Sequence, residues 1–389
     1  MNQKELELYI HIPFCVKKCS YCDFLSAPAT EQTKEAYMAA LFAEIGGRTK
    51  DYKDRIVTSV FIGGGTPSPF LTPSLLSGDS IRQLMEHIRE GFSLASDVEI
   101  TMEVNPGTVT TEKLTAFYAA GINRLSIGMQ SAQEQELKIL GRIHDFDGFC
   151  QVYREAVEAG FTNINVDVMS GLPGQTLASY KDTLEKVLRL EPMPQHISAY
   201  SLIVEEGTPF AAMADRGELP LPEEDTERAM YEETIEVLAG YGFHRYEISN
   251  YALDGYECRH NVGYWIRRDY LGFGIGAASL IGNVRFQNGR DLNAYLAHPF
   301  ACREEQQSLT TQEQMEETMF LGLRLIQGVS YPEFARCYGQ TLEEVYGEVI
   351  ARNVADGLLT VREDETGRRL TLTGRGLDVS NYVMAQFLF

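Results

Sequence analysis

Cys15-Val16-Lys17-Lys18-Cys19-Ser20-Tyr21-Cys22 gathers three thiols into one short stretch, directly behind the apolar run Leu8-Tyr9-Ile10-His11-Ile12-Pro13-Phe14. The informative count is three rather than four. A structural zinc site closes its tetrahedron with a fourth protein ligand, and iron–sulfur clusters are usually held by four thiolates. A four-iron cube on three cysteines leaves one iron free to bind a molecule from outside, which a reactive cluster needs and a structural one avoids. Two blander readings stand beside this one. Zinc could be closed by the nearby His11. A disulfide with an odd thiol is also open, though no secretory leader is expected before Cys15 and reducing compartments seldom keep disulfides. Cys150, Cys258, Cys302 and Cys337 are scattered and read as small core residues.

A second cluster of chemistry lies in Gly63-Gly64-Gly65-Thr66-Pro67. Without β-carbons the backbone can approach a polar ligand closely, offering amide hydrogens to a carboxylate or carbonyls to an amine. The plain alternative is a tight turn between a strand and a helix. Four further polar residues stand at or just after the ends of apolar runs: Glu103 in Met102-Glu103-Val104-Asn105-Pro106, Gln130 in Ile127-Gly128-Met129-Gln130-Ser131, Arg142 in Leu140-Gly141-Arg142, and Asp167 between Val166 and Val168. A carboxylate in such a run is costly to bury alone, so Asp167 must face an opening or pair with a cation. Internal Glu–Arg or Asp–Arg pairs are the structural alternative.

The elements that would position these groups alternate. Glu7–His11, Val57–Ile62, Val98–Val104, Arg124–Met129, Asn163–Met169 and His196–Leu202 read as strands. Between them, helices are expected over Glu31–Ile45, Ile81–Glu90, Thr110–Ala120, two segments within Gln133–Gly160, and Thr176–Leu190. Six β-to-α alternations imply an α/β fold with a parallel sheet, a partial (β/α)6 TIM-like barrel, and the distinctive residues fall at strand C-termini, where such barrels place their chemistry. Residues 1–245 are assigned to this barrel and 246–310 to a connecting segment. There Tyr246–Tyr251 reads as a strand, and the stretch Tyr256–Leu280 does not fit the barrel rhythm. Residues 311–389 read as a smaller winged-helix-like α+β domain. In it, Thr311 with Gln314 caps a helix that buries Met315, Met319, Leu323 and Ile326 and ends at Gly328. Thr341 with Glu344 caps another that buries Leu342, Val345, Val349 and Ile350, and a hairpin follows.

At 389 residues the chain can bury a sizeable core, and 34 basic against 55 acidic residues give a net charge of −21. That balance repels a phosphate backbone, so nucleic acid is not an expected partner. With no apolar run long enough for a membrane span, a soluble cytoplasmic protein is expected.

The CxxxCxxC loop behind a strand resembles the radical S-adenosylmethionine (SAM) superfamily. Within it the whole chain is similar to the coproporphyrinogen dehydrogenase family, on Leu-Tyr-Ile-His-Ile-Pro-Phe-Cys, Gly-Gly-Gly-Thr-Pro-Ser, Ile-Gly-Met-Gln-Ser and Gly-Leu-Pro-Gly-Gln. The resemblance implies a [4Fe–4S] cluster on Cys15, Cys19 and Cys22. It also implies SAM held by Gly64, Gly65, Thr66, Glu103, Gln130, Arg142 and Asp167, with Tyr9 and Tyr21 close by and Tyr21 able to stack on adenine. That family has two branches. The oxygen-independent dehydrogenase carries a further cysteine two places after the third ligand, where this chain has Phe24, and a long extension before the cluster. His260-Asn261-Val262-Gly263-Tyr264-Trp265 instead matches the HNxxYW signature of HemW-like heme chaperones. The resemblance therefore implies heme as a further cofactor, with His260 as its axial ligand, Tyr264 and Trp265 as apolar flanks, and recipient heme proteins as partners. A structural histidine among packing aromatics, and Cys258 as a rival ligand, remain open. So do a decarboxylase acting on coproporphyrinogen III and a zinc-stabilised barrel with no redox role.

Overall fold

The computed structural model of the chain describes residues 4–70, 79–300 and 303–388. Six strands run parallel in sequential order: β1 (Lys4–Ile12), β2 (Arg55–Gly64), β3 (Ser93–Val104), β4 (Arg124–Gln130), β5 (Ile164–Ser170) and β6 (His196–Ser201). The intervening helices are α1 (Glu31–Arg48), α2 (Ser80–Gly91), α3 (Thr111–Ala119), α4 (Glu134–Leu140), α5 (Phe146–Glu158) and α6 (Leu177–Leu188). Alternation within each strand explains the layering. In β1, Leu6, Leu8, Ile10 and Ile12 are fully buried in the main core, which also takes in Tyr37, Leu41 and Ile45 of α1. The alternate residues Glu7, Tyr9 and His11 share the other face, the one that curls into the barrel. Polar residues recur on this inner face, at Glu99, Thr101 and Glu103 of β3, Arg124 and Ser126 of β4, and Asn165 and Asp167 of β5.

The barrel is open, as expected. β1 does not meet β6; it pairs with β9 (Tyr270–Phe273), and β6 pairs with β8 (Asn250–Ala252). After α7 (Pro209–Asp215) and α8 (Glu224–Gly240), the expected strand Tyr246–Tyr251 is replaced by a short hairpin of β7 (His244–Arg245) and β8. The turn between them is organised by Glu247, whose carboxylate accepts the Ser249 N–H at 2.9 Å and the Asn250 carboxamide, displacing ladder hydrogen bonds. The stretch Tyr256–Leu280 forms α9 (Arg259–Trp265), β9 and β10 (Ala278–Ile281). With β11 (Val284–Asn288) and β12 (Arg303–Ser308), and with α10 (Leu292–Ala297) packed on α1, it extends the same sheet to twelve strands.

Residues beyond 309 have their own core, built on Met315, Met319, Leu323, Phe334, Leu342, Tyr346 and Ile350. The order is α11 (Thr311–Gly322), β13 (Val329–Ser330), α12 (Tyr331–Tyr338), α13 (Leu342–Ala355), β14 (Leu359–Asp364) and β15 (Gly367–Leu372), closed by α14 (Gly374–Asp378) and α15 (Ser380–Ala385). Helices around a three-stranded antiparallel sheet in the order β13-β15-β14 give the winged-helix-like arrangement. Several local expectations shift. The cap of α11 is Thr310 with Glu313, not Thr311 with Gln314: Thr310 is the extended residue, its hydroxyl accepts the Glu313 N–H at 3.2 Å and Glu313 accepts the Thr310 N–H at 2.7 Å. The helix ends at Gly322 rather than running to Gly328, so Leu325 is buried and Ile326 half-buried. On α13, Tyr346 takes the buried place while Val345 and Val349 are half-buried. Cys258 is buried, Cys150 is half-buried and Cys337 is exposed rather than in the core, whereas Cys302 lies outside the described residues.

Candidate functional site

All three clustered cysteines line one cavity of about 500 Å³ at the C-terminal mouth of β1–β6, a volume in the range of small-molecule sites. The described cysteines are free thiols, so the disulfide alternative is not what the chain forms. Backbone bonds tie the loop down. Cys15 N–H donates to the Ala27 carbonyl at 3.2 Å, Ser20 N–H to Leu140 at 3.0 Å, and Phe210 N–H to Ser20 at 3.1 Å. The sulfurs have polar neighbours: Arg142 Nη1 lies 3.7 Å from Cys19 Sγ, and Thr66 Oγ1 lies 3.6 Å from Cys15 Sγ. His11 cannot supply a fourth bond, because its Nε2–H donates to the Leu25 carbonyl at 2.9 Å and its Nδ1 accepts the Tyr9 hydroxyl at 3.0 Å. Among the described residues, no three His, Cys, Asp or Glu side chains converge as a single ion would require.

The triglycine turn follows β2 and is forced by its surroundings. A β-carbon on Gly63 would stand 2.8 Å from the Glu103 carboxylate, one on Gly64 2.4 Å from the His11 ring, and one on Gly65 2.5 Å from the Phe14 carbonyl. Gly64 also has a φ of 113°, which disfavours any side chain. The amides are not free for a ligand carboxylate, which corrects one half of the sequence expectation. Gly64 N–H donates to Glu103 Oε2 at 3.0 Å, Gly65 N–H to Ile12 at 2.8 Å and Thr66 N–H to Phe14 at 2.7 Å. Carbonyls are what this turn can offer. Gly65 and Thr66 reach the cavity wall; Gly64 and Tyr9 stand behind it, Tyr9 stacked on the lining residue Phe61.

Glu103, Gln130, Arg142 and Asp167 all line the cavity with Tyr21. Among the described residues neither Glu103 nor Asp167 forms the internal ion pair that was the structural alternative. Glu103 is held by Gly64, and burial, reinforced by Asp167, pushes its carboxyl up to about 7. Asp167 accepts Asn165 Nδ2 at 2.6 Å and Ser126 Oγ at 3.3 Å, and burial raises it as well. Arg124 and Arg142 offset Asp167 from a distance, but two buried carboxyls with no ion pair among the described residues form a pocket that a positively charged ligand would relieve. Arg142 Nη2 donates to Asn105 Oδ1 at 2.6 Å and to the Gly128 carbonyl at 2.5 Å. Gln130 sits at a register break of β4 with a φ of 73°, and its Oε1 accepts the Tyr200 hydroxyl at 3.0 Å. Sequence reasoning passed over Asn105, which joins Thr66 to Arg142, and Tyr200; Asn105 was visible as the last residue of the Glu103 strand end.

His260 is placed differently from expectation. It is 1% exposed, its Nδ1 faces Ser59 Oγ at 2.9 Å and its Nε2 the Tyr264 hydroxyl at 3.1 Å, and its ring stacks on Phe61 at 5.2 Å. Burial, with Arg124 and Arg268 nearby, lowers its pKa to about 3. A neutral imidazole with both nitrogens engaged is not presented to an iron in this arrangement. Tyr264 also stands perpendicular to Tyr270, and Trp265 lies under Arg324 at 4.5 Å, so both rings already carry protein neighbours. Cys258 is fully buried, its Sγ 3.6 Å from Glu99, and burial pushes its thiol up to about 12.

Comparisons with known proteins identify the family and the fold. Residues 9–187 match the model of the radical SAM superfamily, and residues 309–379 match that of the HemN C-terminal domain. The fold is shared with the structure described as coproporphyrinogen III oxidase (HemN) from Escherichia coli, at TM-score 0.84, 24% identity, 99% of this chain and 90% of that one. Among curated proteins, "Heme chaperone HemW" of Lactococcus lactis is 36% identical over 100% of this chain and 98% of its own length. The Bacillus subtilis protein of that name is 37% identical over 98% of each, and the Escherichia coli one 37% identical over 91% of this chain and 92% of its own. A three-thiol loop over a barrel cavity, joined to a winged-helix-like domain and matched along its whole length, places this chain in the HemW family of the radical SAM superfamily.

Proposed function

We propose that the protein is a heme chaperone of the cytoplasm: it carries a [4Fe–4S] cluster on Cys15, Cys19 and Cys22, takes SAM into the cavity beneath, binds heme at the mouth and hands it to recipient heme proteins, respiratory ones among them. The observation that carries this reading is the rim of the cavity. Val16 (57% exposed), Phe24 (60%), Ile143 (50%) and Ile203 (68%) come from three separate loops to the same mouth, beside the exposed Lys17 and Lys18. Exposed apolar side chains gathered on one edge suit a flat apolar macrocycle, and two lysines in a chain of net charge −21 suit its propionates. The names of the HemW relatives support the same reading. Among the described residues no helix is long and apolar enough to cross a membrane.

The cluster, when bound, supplies one-electron reduction of the SAM sulfonium, and heme transfer as a ligand exchange does not itself require that step. This chain's residues do the positioning. Arg142 would offset thiolate charge beside Cys19 while fixing Asn105, and Gly64 aims Glu103 into the cavity, where with Asp167 it would meet positive charge on SAM. Heme ligation by His260 would require Tyr264 or Ser59 to let go of the ring.

The rival is radical decarboxylation of coproporphyrinogen III. Protein reconstituted with iron and sulfide without oxygen is mixed with hemin and passed through a sizing column; in parallel it is given SAM, a reductant and coproporphyrinogen III. Heme co-eluting with the protein, reduced at least tenfold in Phe24→Ser/Ile203→Ser at unchanged iron content, is expected, with no decarboxylation. Decarboxylation above background with no heme retained would overturn the chaperone reading.

A further inference from the structure

Beside and below Glu103 and Asp167 the cavity continues inward, lined by Arg124, Ser126, Asn165, Ser198, Asn250 and Asn261. Arg124 opens β4, two residues before Ser126, which pairs with Glu103; at about 3.3 Å per residue its backbone lies ~7 Å deeper than that of Glu103. It is 2% exposed, its Nε is buried without a partner, and among the described residues its guanidinium makes no hydrogen bond and no ion pair. Glu99 and Asp167 lie near enough for their charge to act on Arg124, but neither gives its guanidinium a hydrogen bond. Glu99 accepts from Cys258 Sγ, Arg259 N and His260 N, and Asp167 accepts from Asn165 and Ser126. Asn261, on α9 beside His260, likewise lines the cavity, and its carboxamide carries no hydrogen bond to a described residue. The other polar groups at this depth are satisfied by one another: Asn165 bonds Ser126, His196 and Ser198, and Ser198 bonds Asn250.

A planar guanidinium with five donors, shut away from bulk water and left unpaired, is a fork built for a bidentate acceptor. We propose that Arg124 and Asn261 form a carboxylate-binding subsite at the inner end of the cavity, the fork taking both oxygens of an organic carboxylate that enters through the mouth and the Asn261 amide donating to one of them. This goes beyond the heme reading and does not depend on it. It also gives HNxxYW a division of labour, with His260 holding α9 against Ser59 while the adjacent Asn261 addresses the ligand. Two sources carry the required group: the amino-acid end of a SAM-type molecule and the propionate of a porphyrin.

The test uses the full chain, reconstituted without oxygen, with sodium propionate as probe and propionamide, its neutral isostere, as control, read by isothermal titration. Propionate binding that is at least tenfold weaker in Arg124→Gln and in Asn261→Asp, retained in Arg124→Lys and absent for propionamide, is expected. Equal binding of propionate and propionamide, no propionate binding to the wild type, or unchanged affinity in Asn261→Asp overturns the subsite, and the last holds even if Arg124→Gln fails to fold. The source is then read by competition. Propionate that weakens SAM binding identifies the amino-acid carboxylate. Propionate that weakens heme but not SAM, with heme dimethyl ester insensitive to Arg124→Gln, identifies the porphyrin arm.

Discussion

Replacing Glu7 by Gln should make the protein more stable as pH rises, by an amount that the structure sets. Glu7 is fully buried where β1 meets α9; Oε1 lies 3.2 Å from Arg268 Nη1, while Oε2 has no hydrogen-bond partner and stands 3.9 Å from His260 Nδ1. Burial pushes its carboxyl from the ordinary 4.5 up to about 8, against the pull of Arg268. Between those values the unfolded chain has released a proton that the folded chain still holds. The folded state therefore binds more protons, and this group's contribution to stability falls as pH rises, most steeply by ~1.4 kcal/mol per pH unit. Summed from 4.5 to 8 the loss is ~5 kcal/mol as an upper bound; reorientation of the partly exposed Arg268 brings the expectation to ~2–4 kcal/mol. Glutamine keeps the shape and cannot ionise. Urea unfolding of the two proteins at pH 6, 7, 8 and 9 isolates the effect, because titrations shared by both cancel in the difference. The curves should coincide only near pH 4.5, where both chains hold the proton; the variant should already lead at pH 6, and the lead should widen to those ~2–4 kcal/mol by pH 9. Parallel pH profiles, or a variant that falls behind as pH rises, would mean that Glu7 is ionised and held by Arg268, and would refute the argument.

The cavity itself gives two more expectations. Gly65→Ala drives a β-carbon to 2.5 Å from the Phe14 carbonyl, backbone that cannot swing away, so it should cost ~1–3 kcal/mol and lower iron loading; a thermal midpoint and iron content within error of wild type would show that the turn tolerates a side chain. With its carboxyl near 7, Glu103 should bind the SAM cation more tightly as pH rises from 6 to 8 and it ionises, and Glu103→Gln should flatten that dependence in an anaerobic titration; a flat wild-type profile would remove Glu103 from contact with the charge.

How much of this was legible depended on whether a residue's neighbours in space are also its neighbours in sequence. The cysteine loop, the triglycine turn and the polar residues at strand ends could be read because each is a local event at the end of a regular element. The cap of α11 slipped by one residue because Thr310 and Thr311 stand side by side, and only backbone geometry decides which is extended. The Tyr246–Tyr251 strand failed because a side chain, Glu247, outcompeted the ladder. The polar inner face had its own signal: Arg124, Ser126, Gly128 and Gln130 alternate with Leu125, Ile127 and Met129, and Glu99, Thr101 and Glu103 alternate with Ile100 and Met102. Period-two polarity in strands that must bury both faces means that one face lines something wet.

HNxxYW shows that the residues of one motif need not face the same surface. Adjacent residues on a helix point about 100° apart, so His260 and Asn261 cannot both face the same space. Which one turns inward is decided by distant parts of the chain. Glu99 of β3 takes the backbone N–H groups of Arg259 and His260 and the thiol of Cys258, anchoring the start of α9, and Gly263 lets the Glu7 carboxylate occupy the place of a β-carbon, 1.9 Å from where one would stand. With the helix seated that deeply, His260 falls against Ser59 and Phe61, and Asn261 falls on the cavity wall. The glycine in the motif therefore fixes the helix's depth, and that depth determines which of its polar residues a ligand can meet.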